Sequence, residues 1–249
     1  LDYPNARVIR ANDHIFLQGQ TGLSLDGRDF DGAGDPARQV EVAMQNVKTL
    51  LADAGAKIDD VCKVTTYLTD PAHREQIDAV LADHFEDVRP VVTSIHVNDL
   101  ARPELDFEID VFAIRSSEGS EHQRFQVPQV DGDSAWPQSH AVRAGRFLFL
   151  QGQSGLRLDG SGLTGAGDVT AQAEQAMENV RTLLEEMGGR MEDICKITTF
   201  VIDQAARLDV YPVFGRHLSG VNPASTGLVV EALWRPDLEV AIDAFAVIE

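Results

Sequence analysis

Glu108 stands between Phe107 and Ile109, and strand alternation turns a residue so placed to the face opposite its apolar neighbours. A carboxylate held on that face can position or deprotonate a water molecule, which is the work of a general base. Asp110 follows two residues later on the same face, and Asp243 occupies a second Ile-Asp step; both read as structural acids. Cations able to receive an anionic group occur in two similar turns, Arg102 before Pro103 and Arg235 before Pro236, and Arg89 adjoins Pro90. Arginines in surface turns are ordinarily solvated, so substrate contact is a secondary reading for Arg102 and Arg235.

Other chemistries lack their motifs. Cys62 and Cys195 lie on apolar stretches with no Cys-x-x-Cys and no histidine pair at zinc spacing, and are expected as buried small hydrophobes. The histidines form no His-Glu-x-x-His or His-x-His pattern, so no metal is expected. Equivalent His84 and His217 read as packed or solvated helix residues. Gly32-Ala33-Gly34-Asp35 and Gly165-Ala166-Gly167-Asp168 precede helix starts, where backbone amides could cradle an anion, but Asp35 and Asp168 would cap those helices and repel one. No nucleophile elbow and no cofactor fingerprint is present, and no cofactor is expected.

The net charge of −19 repels a polyanion, which argues against nucleic acid as a partner. No apolar run approaches the roughly 20 residues that span a bilayer, so no membrane association is expected. Two cysteines and an opening LDYPNARVIR without a basic and apolar leader point to the cytoplasm.

These residues sit in a repeated frame. The offset of 133 positions that takes Gln18-Gly19-Gln20 to Gln151-Gly152-Gln153 also takes Asn46-Val47 to Asn179-Val180. It takes Cys62-Lys63 to Cys195-Lys196, Arg102-Pro103 to Arg235-Pro236 and Ile109-Asp110 to Ile242-Asp243. A register kept without a gap over that length means duplication, with domains expected at 1–115 and 134–249 joined by a polar, turn-rich linker over 116–133.

Within the first copy, Val8 to Ala11 and Ile15 to Gln20 read as paired strands. A helix follows, capped by Asp35, opened by Pro36, carrying Val40, Met44, Val47 and Leu51 on one face and ended by Gly55. Val61 to Leu68 reads as a strand, Ala72 to Phe85 as a second amphipathic helix, and Val91 to Val97 and Leu105 to Ile114 as closing strands. The order is ββαβαββ, an α+β fold with both helices on one face of the sheet. The other face needs cover, which sister copies can supply sheet to sheet, so a homo-oligomer is expected. Pro212 should shorten or kink the second helix of the second copy.

Together these features resemble the YjgF/Rid family of reactive-intermediate deaminases over nearly the whole of both copies. The resemblance rests on Gly19-Gln20 and Gly152-Gln153, on Gln39 and Asn46, and on the strand from Asp60 to Thr66. It rests also on Pro90 and Pro223, on Phe107 to Asp110, and on Pro137-Gln138-Ser139-His140-Ala141-Val142. It implies a chorismate-mutase-like fold, a three-fold ring of domains with pockets between neighbours, and hydrolysis of enamines or imines of small metabolites. For two-domain chains it implies three chains and six domains.

In that resemblance an arginine clamps the substrate carboxylate and a glutamate handles water. The arginine position falls on Val92 and Ser225, neither of them charged, and the glutamate position on Glu108 and Ala241. The serine before the Gly-Gln pair corresponds to Gln18 and Gln151, and the pocket tyrosine to Asn5 and Gln138. The expected pockets are therefore remodelled and unlike each other: Glu108 is the expected catalytic residue. Gln18, Gly19, Val92, Arg102, Gln138, Gln151, Gly152, Ser225 and Arg235 are the expected substrate contacts. The leading expectation is a hydrolase acting on a C=N or related amide bond, with a non-catalytic ligand-binding protein as the alternative.

Overall fold

A computed structural model describes residues 5–116, 121–127 and 136–248. The first repeat runs β1 (Val8–Ala11), β2 (His14–Leu17), α1 (Pro36–Asp53), β3 (Val61–Leu68), α2 (Arg74–Phe85), β4 (Val91–His96) and β5 (Phe107–Ile114). A short strand β6 (Gln123–Phe125) then precedes the second repeat. That repeat runs β7 (Ala141–Ala144), β8 (Phe147–Leu150), α3 (Val169–Glu186), β9 (Ile194–Val201), α4 (Arg207–His217), β10 (Ala224–Val229), β11 (Ala232–Leu233) and β12 (Val240–Val247). The ββαβαββ order holds in both repeats, with β11 an addition to the second.

Local chemistry sets the helix starts and stops. The Asp35 carboxylate accepts from the Arg38 amide, with Pro36 in the first turn, and Asp168 accepts from the Ala171 amide. Gly55 and Gly188 follow α1 and α3 at φ of 76° and 77°, a conformation that spares only glycine a Cβ penalty. Val40, Met44, Val47 and Leu51 are fully buried against Phe107 and Ile109 in the first core. Pro212 lies inside α4, which continues through it but spans 11 residues against 12 in α2.

The two sheets share a plan but borrow from each other. The first has the strand order β1-β2-β5-β3-β4-β11, so its last strand comes from the second repeat. The second has the order β10-β9-β12-β8-β7-β6, so its last strand comes from the segment expected as a plain linker. Of that segment, residues 117–120 and 128–133 lie outside the described residues. β3 and β4 are parallel, as are β9 and β10, while the other pairings are antiparallel.

Each sheet buries one face under its own two helices and turns the other toward its sister. Cys62, Val91 and Ile114 pack with Val142, Ala144 and Phe149, and Ile95 packs with Phe200, Leu233 and Ala241. The expected sheet-to-sheet cover is thus supplied in part within one chain. The expectation that both cysteines are buried holds for Cys62 alone: Cys195, the same position in the repeat, is exposed, because no sister sheet covers that part of the second repeat.

Candidate functional site

Glu108 and Asp110 project from β5 onto the face away from the helices, as alternation requires, with Phe107, Ile109 and Val111 buried on the other side. Gln20 and Ile109 exchange backbone hydrogen bonds at 2.9 Å in both directions, which lays the chain before Gln20 beside Glu108. Gly19 is the point of closest approach: a Cβ there would lie 1.9 Å from Glu108 Oε1, so any larger residue would make the carboxylate move. Gln18 closes this edge through its backbone, its amide donating to Arg7 O and its carbonyl accepting from the Gln20 side chain.

Among the described residues no cation or hydrogen-bond donor engages the Glu108 carboxylate. Burial raises its pKa, and the neighbouring Asp110 raises it further. Burial also raises Asp110, against a hydrogen bond from Tyr67 Oη at 3.1 Å. Tyr67 is itself harder to ionise because it is buried and faces Asp110 and Glu108. Two half-buried acids side by side, with no counter-ion among the described residues, hold their protons longer than solvated ones, as groups that exchange protons with a substrate often do.

The second repeat builds its equivalent corner against the first. Gln151 donates to Gln138 Oε1 at 2.7 Å, and Gly152 lies where a Cβ would be 3.2 Å from both Asp243 Oδ1 and Thr93 Cγ2. Asp243 is 5% exposed, pairs with Lys63 of the first repeat and accepts from Thr93 Oγ1 at 2.5 Å. Ala241 occupies the position of Glu108 and is packed between the repeats. The corner enclosed within one chain therefore lacks the glutamate, and the corner with the glutamate is half-buried on the helix-free face of the first sheet.

The remaining expected contacts scatter. β4 turns Val91 and Thr93 toward the second repeat and Val92 toward the helices, where it is 5% exposed in the first core. Its side chain is a packing residue. Ser225 is exposed and lines an outer groove between α4 and β10. Arg102 pairs with Glu104 at 3.7 Å and Arg235 with Asp237 at 2.7 Å, each serving its own turn.

Two features escaped the residue-by-residue reading. One is the Lys63–Asp243–Thr93 network. The other is an aromatic cleft of about 390 Å³ between the sheets, walled by Phe16, Phe112, Phe147, Phe149 and Phe245, with His14 edge-on to Phe147 at 4.4 Å. Its signal was present: Phe16 and Phe112 recur at the repeat offset as Phe149 and Phe245, at strand positions of open-face parity.

A family profile described as Endoribonuclease L-PSP matches residues 3–115 and again 132–248. Protein DfrA of Myxococcus xanthus is 38% identical over 125 residues, which are 49% of this chain and 90% of that protein. RutC family protein YjgH of Escherichia coli is 37% identical over 108 residues, 43% of this chain and 79% of that protein. Both relatives therefore correspond to a single repeat. A solved chorismatase structure, 16% identical, aligns over 96% of this chain and 76% of its own with a TM-score of 0.71, and so shares the two-repeat fold.

Proposed function

The chain belongs to the Endoribonuclease L-PSP, or YjgF/Rid, family through both repeats, and from that premise we propose that it hydrolyses a C=N bond of a small metabolite at Glu108. Family membership supports a small-molecule-binding or deaminase-like role. The observation that carries the finer reading is the Glu108 carboxylate, set against Gly19, with no counter-ion among the described residues, its pKa raised by burial and by Asp110.

In this reading Glu108 takes a proton from water as the oxygen adds to the imine carbon. The nitrogen, protonated in turn, leaves as ammonia while the carbonyl forms. Gln18 and the Gly19 backbone border the reacting group. Because the second repeat covers that face only in part, a neighbouring domain would complete the corner, and the proposed assembly is three chains carrying six domains. No nucleic acid takes part, since the charge of −19 repels it. Two cysteines not paired with each other suit a reducing compartment, and the proposed setting is the cytoplasm.

The test is ammonia release from imines generated by an amine oxidase, which carry no carboxylate; imines of simple amino acids, whose carboxylate meets no charge at Val92 or Ser225, should be turned over weakly or not at all. Glu108→Gln, nearly isosteric, should lower turnover by about 10²- to 10⁴-fold, the usual contribution of a general base. Full activity in that variant with an unchanged pH profile would sink the reading.

A second reading, ligand binding without turnover, is favoured by the uncharged residues at the clamp position, Val92 in the core and Ser225 on the surface. Equilibrium dialysis separates the two, since binding that survives Glu108→Gln with no ammonia from either protein belongs to the second.

A further inference from the structure

Aromatic side chains between the two sheets come in matched sets. Phe16 of β2 lies directly opposite Phe112 of β5, and their rings meet edge-on at 4.8 Å. Phe149 of β8 and Phe245 of β12, their counterparts in the second repeat, are likewise opposite, with rings 5.0 Å apart. Phe112 and Phe149 join the two pairs across the sheets at 5.1 Å. His14 and Phe147, a third pair of counterparts, touch edge-on at 4.4 Å. The duplication has thus set like positions on both walls of one cleft.

The walls do not close on each other. Packed interiors leave few gaps larger than a water molecule, yet about 390 Å³ stays open here. Phe112, Phe147 and Phe245 are only partly buried where they pack beside Cys62 and Val142, and Phe16 is 45% exposed. A contact that served only to hold two sheets together would bring such rings into full contact. Room on this scale, walled by aromatic rings with a few polar groups among them, is what small-molecule sites offer. Both walls come from one chain.

The polar groups select the ligand. Lys63 and Lys196 are counterparts and both line the cleft, but they are no longer equivalent. Lys63 is neutralised by Asp243. Lys196 lies opposite Phe245 in the register of β9 with β12 and donates to Thr226 Oγ1 at 3.0 Å. By the repeat its acid would be Asp110, which accepts instead from Tyr67 of its own sheet. Among the described residues no carboxylate pairs with Lys196, and an ammonium has three protons to donate, so two are left for a ligand. In a chain with 40 acidic side chains against 21 basic, a lysine of this kind beside a row of phenylalanines is a local reversal of sign. It suits a carboxylate, and a cationic ligand would meet it as a like charge.

We propose that this cleft binds an aromatic carboxylate, its ring against Phe16, Phe112 and Phe245 and its acid group on Lys196. The phenylalanines hold the ring by offset or edge-on contact, and the lysine fixes which end points to the second repeat. A perfectly symmetric duplicate would have no such direction, because both lysines would be neutralised alike. The proposal rests on the cleft and not on the chemistry of Glu108, so either can fail alone.

Isothermal titration of the full chain with naphthoate tests it, with naphthamide as the uncharged twin and naphthylmethylamine as the cation. Naphthoate binds, the amide binds about tenfold more weakly for want of a charge-assisted hydrogen bond, and the amine more weakly still. Lys196→Gln lowers naphthoate affinity by about tenfold, to the level of the amide, and leaves the amide unchanged. Phe16→Ala weakens acid and amide alike, by about threefold or more, because both lose the same ring contact. Lys196 and Phe16 are exposed, and unchanged circular dichroism and melting show that each variant is folded. Absence of naphthoate binding to the wild type overturns the proposal. So does equal affinity for acid and amide, preference for the amine, or naphthoate binding that either substitution leaves as it was.

Discussion

Asp243 of the second repeat is ion-paired with Lys63 of the first, and its other oxygen accepts from Thr93 at 2.5 Å. Its counterpart Asp110 accepts, among the described residues, from Tyr67 of its own sheet at 3.1 Å, and Lys196, the counterpart of Lys63, donates to Thr226 on an open face. One position of the repeat has become a bolt between the sheets, while its twin stays beside Glu108 with no cation among the described residues. The same duplication thus supplies both the fastening and the candidate site.

Breaking the bolt from one side leaves a largely buried carboxylate without its cation. Lys63→Met strands Asp243, which is 5% exposed, and is expected to cost about 3 kcal/mol by urea unfolding, as buried pairs do when one partner is removed. Adding Asp243→Leu should recover much of that loss. A single-variant cost below about 0.5 kcal/mol would mean that the pair behaves as a surface pair.

How far the sequence carried follows from what each residue depends on. Asp35, Pro36, Gly55 and the spacing of Val40, Met44, Val47 and Leu51 act within one helix, and α1 lies where they place it. The face of Glu108 follows from alternation alone. Lys63 and Asp243 are 180 positions apart and meet only because two sheets pack in a particular register, which no local pattern encodes. Likewise β6 and β11 are short strands whose partners lie in other segments. Cys62 and Cys195 share a local sequence and differ in burial, because the difference lies in what the sister copy covers.

The raised pKa values of Glu108 and Asp110 fix a sign for stability against pH. Both carboxyls are harder to ionise in the fold than in the unfolded chain, so the folded state binds more protons once pH passes the ordinary carboxylate range. Their contribution is fully present below that range and is lost as pH rises through the raised values. Glu108→Gln removes one of these titrations, so its stability relative to wild type should improve between about pH 4 and pH 8. Chemical denaturation at the two ends of that interval measures it. A relative stability that stays flat or falls would show that Glu108 is solvated or neutralised in the folded protein.

Val92 and Ser225 share one position in the repeat, and restoring an arginine there has opposite consequences for the fold. Val92 faces the helices and is 5% exposed in the core with Trp136 and Phe85, where a guanidinium would lose its water and crowd those rings. Val92→Arg is therefore expected to destabilise the protein by about 3 kcal/mol or more, through overpacking and an unpaired buried charge. Ser225 is exposed on β10, so Ser225→Arg can send its head group to solvent and should shift stability by less than about 1 kcal/mol. Thermal unfolding of the two variants in parallel decides the matter. Equal tolerance of both arginines would mean that β4 can turn Val92 out of the core, and that the position is open to ligand after all.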